Sequence, residues 1–250
     1  MTSFLKKIIS LLITVTLSTG CVSLRSCFEN NFVNAPRESF VKLMVLTPQF
    51  ISSGSGVIIR HVDNYNTIIL TAGHMCDHNI LEMKVLDLNE NVYNAVGFVR
   101  SSLDDLCAVV VSDNIKAPDI KVTNPSIEIG EHIYNIAAPM GIHAPNMSLM
   151  FDGYYEGNVN LPEEKYALSL YSIPGKGGSS GSPIFNSNWE IIGIISRGVE
   201  EFSHIMMATS PERTKMFSDY VQSERFKADM MFAVSQHKKT VKDLIKNLTK

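Results

Sequence analysis

Apolar positions along this chain gather in short β-branched runs closed by small or turn-forming residues. Asn66-Thr67-Ile68-Ile69-Leu70 is one, ending at Thr71-Ala72-Gly73, and Leu106-Cys107-Ala108-Val109-Val110-Val111 is another. Runs of this length and composition predict strands. Near the C-terminus the pattern changes period. Ser210-Pro211-Glu212 offers an N-cap, an N1 proline and an acidic first turn, which predicts a helix start. Further on, Val241, Leu244, Ile245 and Leu248 recur at helical spacing with Lys238, Lys239, Lys242, Lys246 and Lys250 around them. That predicts an amphipathic basic helix, which either docks on the body or meets a membrane surface or a partner.

The N-terminus shows a third pattern. Lys6 and Lys7 precede the apolar stretch Ile8 to Leu17, and the small residues Ser18-Thr19-Gly20 come before Cys21. The stretch is shorter than the roughly 20 residues a spanning helix needs. Residues 1–20 therefore read as a secretory signal peptide. Leu17-Ser18-Thr19-Gly20-Cys21 also resembles a lipobox, with its leucine one place further from the cysteine than usual. Three outcomes stay open: lipidation at Cys21, plain secretion, or an uncleaved membrane anchor. All three place the protein in an exported compartment.

Composition narrows the class. Hydrophobic residues make up 45% and charged residues 19%, enough for a real core in 250 residues and for one or two domains. The net charge is −3, and no basic block interleaves with aromatics, which gives no support to nucleic-acid binding. Four cysteines are too few for a disulfide-rich scaffold. Cys107, inside an apolar run, reads as a small buried hydrophobe, and whether Cys27, Cys76 or Cys107 form a disulfide stays open.

The candidate chemistry lies at the ends of these strands. Gly178-Ser179-Ser180-Gly181-Ser182-Pro183 presents a serine between glycines, as a hydrolase presents a nucleophile. His74 follows the first strand and Asp105 opens the second. The order His, Asp, Ser is that of the chymotrypsin type rather than the subtilisin or α/β-hydrolase types. Ser179, Ser182 and Asp104 are the neighbours that compete for these roles, and the G-x-S-G frame singles out Ser180. His78 lies four residues past His74, but no carboxylate or cysteine cluster at ligand spacing accompanies them, so no metal site is expected.

Together these segments resemble a trypsin-like serine peptidase of the HtrA and glutamyl-endopeptidase kind. Gly54-Ser55-Gly56-Val57-Ile58-Ile59 resembles the strand before the family's T-A-x-H histidine, and Asp105-Leu106-Cys107 resembles its D-[LI]-A. Gly130 through Gly141 resembles the stretch opening the second barrel, and Ile191 to Ser196 the strand after the nucleophile. The resemblance implies an all-β fold of two six-stranded antiparallel β-barrels, chymotrypsin-like, with a C-terminal helical tail. The implied division is a linker over 21–37, a peptidase domain over 38–212 and a tail over 213–250. Its barrels would run over about 38–115 and 116–212. No PDZ domain is expected after it.

The resemblance also implies roles. Ser180 would attack a peptide carbonyl, His74 would move the proton, and Asp105 would orient the imidazole. The backbone N–H groups of Gly178 and Ser180 would bind the oxyanion, with no cofactor. Pro174 would lie near the base of the substrate pocket, with Ser196, Arg197 and Gly198 along one wall. A proline there argues against preference for Lys or Arg in the polypeptide substrate. Ser179 stands where digestive relatives carry the aspartate that pairs with a new N-terminus, so activation by that ion pair is not expected. The S-G-S-P ending resembles glutamyl endopeptidases, but Ile194-Ile195-Ser196 lacks their histidine. Cys76 lacks the upstream partner that digestive relatives bridge, so that bridge is not expected. A catalytically inactive binding module on this fold, or an esterase, would share most of these features. Oligomeric state is open.

Overall fold

The computed structural model describes residues 31–63, 66–77, 79–199 and 202–248. The expected signal peptide, Cys21 and Cys27 lie outside them. A short 3-10 turn, Asn31–Asn34, belongs to a separate N-terminal unit. The second unit, Pro36–Lys250, carries all the strands among the described residues.

The first six strands are β1 (Phe40–Leu46), β2 (Ile51–Asp63), β3 (Asn66–Ala72), β4 (Glu82–Leu86), β5 (Val92–Arg100) and β6 (Leu106–Val111). They close into an antiparallel barrel in the order β1-β2-β3-β6-β5-β4. The next six are β7 (His132–Ala137), β8 (Leu149–Val159), β9 (Leu168–Tyr171), β10 (Pro183–Phe185), β11 (Ile191–Val199) and β12 (Phe202–Thr209). They close in the same relative order, β7-β8-β9-β12-β11-β10. The chain thus builds one topology twice, as the resemblance implied.

Each barrel has its own core. Val41, Leu43, Ile58, Ile69, Val85 and Val109 fill the first, and Ile133, Tyr171, Ile184, Ile192, Ile195 and Ala208 the second. Every residue of β6 is buried, so its run is continuously apolar instead of alternating. A strand covered on both faces has no use for an outward polar set.

One expectation about sulfur needs correction. Cys107 is not a free buried hydrophobe, because it forms a disulfide with Cys76, with Cα atoms 6.4 Å apart. Pairing of β3 with β6 sets Thr71 opposite Cys107, and the 3-10 turn Gly73–Cys76 then carries Cys76 back to it. The partner lies downstream in sequence, not upstream.

The tail is helical. Ser210 caps α1 (Pro211–Val221), its hydroxyl accepting from the Arg213 N–H. Helix α2 (Glu224–Leu248) begins well before the basic stretch read from sequence. It docks on the first barrel, where Val234 packs over Gly97 and His237 meets Phe98 edge-on at 4.9 Å. Lys238, Lys239, Lys242 and Lys246 are exposed. Among the described residues no helix is long and apolar enough to cross a membrane.

Candidate active site

The end of β3 and the start of β6 are neighbours in the ladder, Ala72 facing Leu106. Residues just beyond them, His74 and Asp105, are therefore brought together by register. The Asp105 carboxylate holds His74 twice. Oδ1 accepts the His74 backbone N–H at 2.7 Å, and Oδ2 lies 2.8 Å from ring Nδ1. From the second barrel, Ser196 Oγ donates to the same Oδ2 at 2.6 Å. Burial pushes the Asp105 pKa up, but the hydrogen bonds and charge of His74, with the Ser196 bond, outweigh it and leave it below the ordinary value. An ionised carboxylate only accepts hydrogen bonds, so Nδ1 carries the proton and Nε2 is left as the base.

Asp104, the sequence competitor, is committed elsewhere. Arg213 of α1 donates Nε to Oδ1 at 2.9 Å and Nη2 to Oδ2 at 2.8 Å, in a pair with little exposure. The guanidinium also sits 3.9 Å from the Tyr166 ring centroid.

The other serines are committed as well. Ser182 is buried and accepts from Asn135 Nδ2 at 2.9 Å. Ser179 is 1% exposed, and its hydroxyl accepts the Lys176 N–H at 3.3 Å. Ser180 is partly exposed and lines a cleft of about 980 Å³ together with His74, Asp105 and Ser196. No hydrogen bond joins Ser180 Oγ to His74 among the described residues. Such bonds are often long in ligand-free enzymes and tighten with substrate.

Two glycines shape the serine turn. Gly178 has φ +99°, and the Ser179 N–H donates to the Lys176 carbonyl at 2.9 Å. A positive φ at the third position of such a turn is the type II pattern that selects glycine. Gly181 has φ +85°, and a Cβ there would lie 2.1 Å from Thr71 Oγ1 and 2.2 Å from the Ser55 carbonyl oxygen. The Ser180 turn is thus pressed against the first barrel.

Arg197 and Gly198 line the same cleft, along with Gly175. Arg197 turns its charge onto Glu163 and Glu164. Pro174 is half-buried and is not among the cleft-lining residues. Sequence reasoning missed Met206, which is 4% exposed and reaches the cleft from β12. Its sulfur and methyl group lie where a Cβ on Gly175 or Gly198 would go, 2.3 and 3.0 Å from the sulfur. The thioether therefore fills the space between the two glycine-walled edges. Two glycines at 175 and 198 were the only sequence sign of a slot needing a filler.

Residues 54–194, more than half of the chain, match the family model of the trypsin-like peptidase domain. No curated protein matches the sequence. Among solved structures, the active form of the Rv3671c protease of M. tuberculosis is 16% identical, with TM-score 0.61, over 71% of this chain and 78% of that one. An HtrA-type AlgW protease with a tripeptide is 18% identical, with TM-score 0.65, over 78% of this chain and 63% of that one. A serine endoprotease from Yersinia pestis is 22% identical, with TM-score 0.61, over 78% of this chain and 66% of that one. The chain spans less than two thirds of the latter two. At these identities the likeness establishes the fold.

Proposed function

The chain belongs to the trypsin-like peptidase domain family of serine endopeptidases, and we propose that it cleaves polypeptides through His74, Asp105 and Ser180. The observation that carries this reading is the double hold of Asp105 on His74, which fixes the tautomer and the ring direction together. As Ser180 Oγ attacks the carbonyl carbon, His74 Nε2 takes its proton. The backbone N–H groups of Gly178 and Ser180 receive the developing oxyanion. His74 then returns the proton to the leaving amine, and water, deprotonated in turn by His74, releases the acyl group from Ser180. Asp105 stabilises the imidazolium without taking the proton.

Side-chain preference follows from Met206. A slot closed by its thioether between Gly175 and Gly198 suits small apolar residues such as alanine or valine on the acyl side of the cleaved bond. Arg197, neutralised by two glutamates, adds no demand for an acidic residue. An exported location fits the signal peptide and the Cys76–Cys107 bridge, which persists in oxidising compartments. Membrane attachment through Cys21 or the N-terminal apolar segment belongs to the same proposal.

The test uses purified wild type and Ser180→Ala with unfolded casein, a peptide and ester panel, and a fluorophosphonate probe. Wild type should cleave casein and take the label, and Ser180→Ala should do neither. Labelling without cleavage of any peptide would favour an esterase. A wild type that is folded but unlabelled would be the inactive binding module.

A further inference from the structure

With a serine at 179, the nucleophile turn lacks a carboxylate to anchor it, so its donors must be aimed by other contacts. The Gly177 carbonyl accepts the Met140 N–H at 2.6 Å. Because a trans peptide points its C=O and N–H in opposite directions, this bond turns the Gly178 N–H the other way. The next carbonyl, that of Gly178, accepts Ser55 Oγ at 2.8 Å. Ser55 Oγ in turn accepts the Ala138 N–H at 3.0 Å. The Ser55 backbone N–H donates to the Ser180 carbonyl at 2.8 Å, and the Ser55 carbonyl accepts Thr71 Oγ1 at 2.8 Å. Ser55 is fully buried, and its hydroxyl is used as donor and acceptor at once.

On the reading that Ser180 is the nucleophile, we propose that the Ser55 hydroxyl is the positioning group for the oxyanion site. It stands in for the missing ion pair. From strand β2 of the first barrel, Ser55 holds the carbonyls of Gly178 and Ser180, the two residues whose N–H groups receive the oxyanion. Its side chain also links that turn to Ala138, just ahead of the Pro139–Gly141 turn that secures Gly177. Lys42 Nζ braces this second turn by donating to the Gly141 carbonyl at 2.7 Å. Only a hydroxyl can serve both partners. Alanine would leave the Gly178 carbonyl and the Ala138 N–H without them, and the Gly177–Met140 bond alone would be left to keep the Gly178 N–H in line.

The experiment compares wild type with Ser55→Ala, Ser55→Cys and Ser55→Thr, using the peptide nitroanilide that wild type cleaves best and a matching peptide boronic acid. The boronate forms a tetrahedral adduct on the nucleophile, so its affinity reports the oxyanion site. Ser55→Ala should lower kcat about 100-fold, the scale of a lost oxyanion donor, with KM within about threefold and boronate affinity falling in step with kcat. Ser55→Thr should recover most of the loss, and Ser55→Cys, a weak donor of similar size, should not. If Ser55→Ala does not fold, Ser55→Cys carries the same comparison, and if neither folds Ser55 is a fold residue and the proposal fails. A kcat within about threefold of wild type, whatever the change in Tm, overturns it. So does a kcat loss with unchanged boronate affinity. A wild type that neither cleaves nor takes a fluorophosphonate label fails the nucleophile reading itself, whereas a fully active Ser55→Ala fails only this one.

Discussion

The two barrels share a strand order but hold their parts of the site by different means. The first carries His74 and Asp105 at the ends of paired strands, ties them directly, and bridges the same two segments with Cys76–Cys107. The second carries Ser180 on a turn with two positive-φ glycines, and the braces on that turn include contacts from the first barrel. The proposed base and its orienting acid are thus local to one barrel, while the proposed nucleophile depends on how the two barrels meet. This difference predicts that changes in the first pair act through charge and covalent stapling. Changes around the second act through placement.

The largest effect should come from breaking the first barrel's pair. Asp105→Asn keeps the shape but replaces an acceptor with a group that can donate, so the imidazole loses its tautomer. We expect kcat to fall by roughly 10⁴-fold, measured on casein or a peptide nitroanilide. A loss under about tenfold would mean that another carboxylate orients His74, and Asp104, already paired with Arg213, would be re-examined as its holder.

Next in size is the staple. The bridge closes a separation of 31 residues, and the loop-entropy relation gives about 3–4 kcal/mol for its removal. The double variant Cys76→Ala, Cys107→Ala should therefore unfold roughly 10 °C lower. Its kcat should stay within about tenfold, since Asp105 still grips both the ring and the backbone of His74. An unchanged Tm would show that register alone holds the pair, erasing the contrast between the barrels.

On the second barrel the expected effect is on selectivity. Met206→Ala should open the slot between Gly175 and Gly198. The ratio of kcat/KM for phenylalanine over alanine at the cleaved bond should rise by about 10–100-fold, the range set by a few methylenes in a pocket. A panel of peptide nitroanilides measures it. Met206→Leu, similar in volume, should leave the ratio near wild type, and equal profiles for all three proteins would remove Met206 from the pocket.

How much of this was legible in the sequence follows the same division. His74 and Asp105 stood at strand ends and Ser180 between turn glycines, each in a recognisable local frame, and a local frame survives in a linear sequence. The double barrel was legible only through the family resemblance that those frames carry. The Cys76–Cys107 bridge was not, because it depends on Thr71 and Cys107 facing each other across two strands. Arg213 reaches Asp104 from 109 residues away, and nothing near either residue announces the other. Met206 is one apolar residue of an ordinary strand until the fold sets it between two glycines. Ser55 was read as part of a motif, yet its work is done on a turn 123 residues further on. Residues marked by their own local frame could be read; contacts between segments far apart in sequence could not.

The smallest effect tests a bond by which the second barrel reaches directly into the first barrel's pair. Ser196 Oγ donates to Asp105 Oδ2 at 2.6 Å, and Ser196→Ala removes it while leaving both contacts to His74. We expect kcat to fall about tenfold, the scale of one hydrogen bond to a charged group. The pH dependence of stability gives an independent reading. Asp105 has a folded pKa below its unfolded value, so its contribution is fully present above about pH 3.9, the unfolded value, and is lost as pH falls through the folded one. Without Ser196 the folded pKa moves back up towards the unfolded value. The stabilisation at neutral pH shrinks, and the decline on acidification becomes shallower. Urea unfolding of wild type and Ser196→Ala between about pH 2 and 6, the span over which such a carboxylate titrates, should show the two stabilities converging as the pH falls. Parallel curves would mean that the second barrel adds nothing to the charge state of Asp105, and that its share of the site is placement alone.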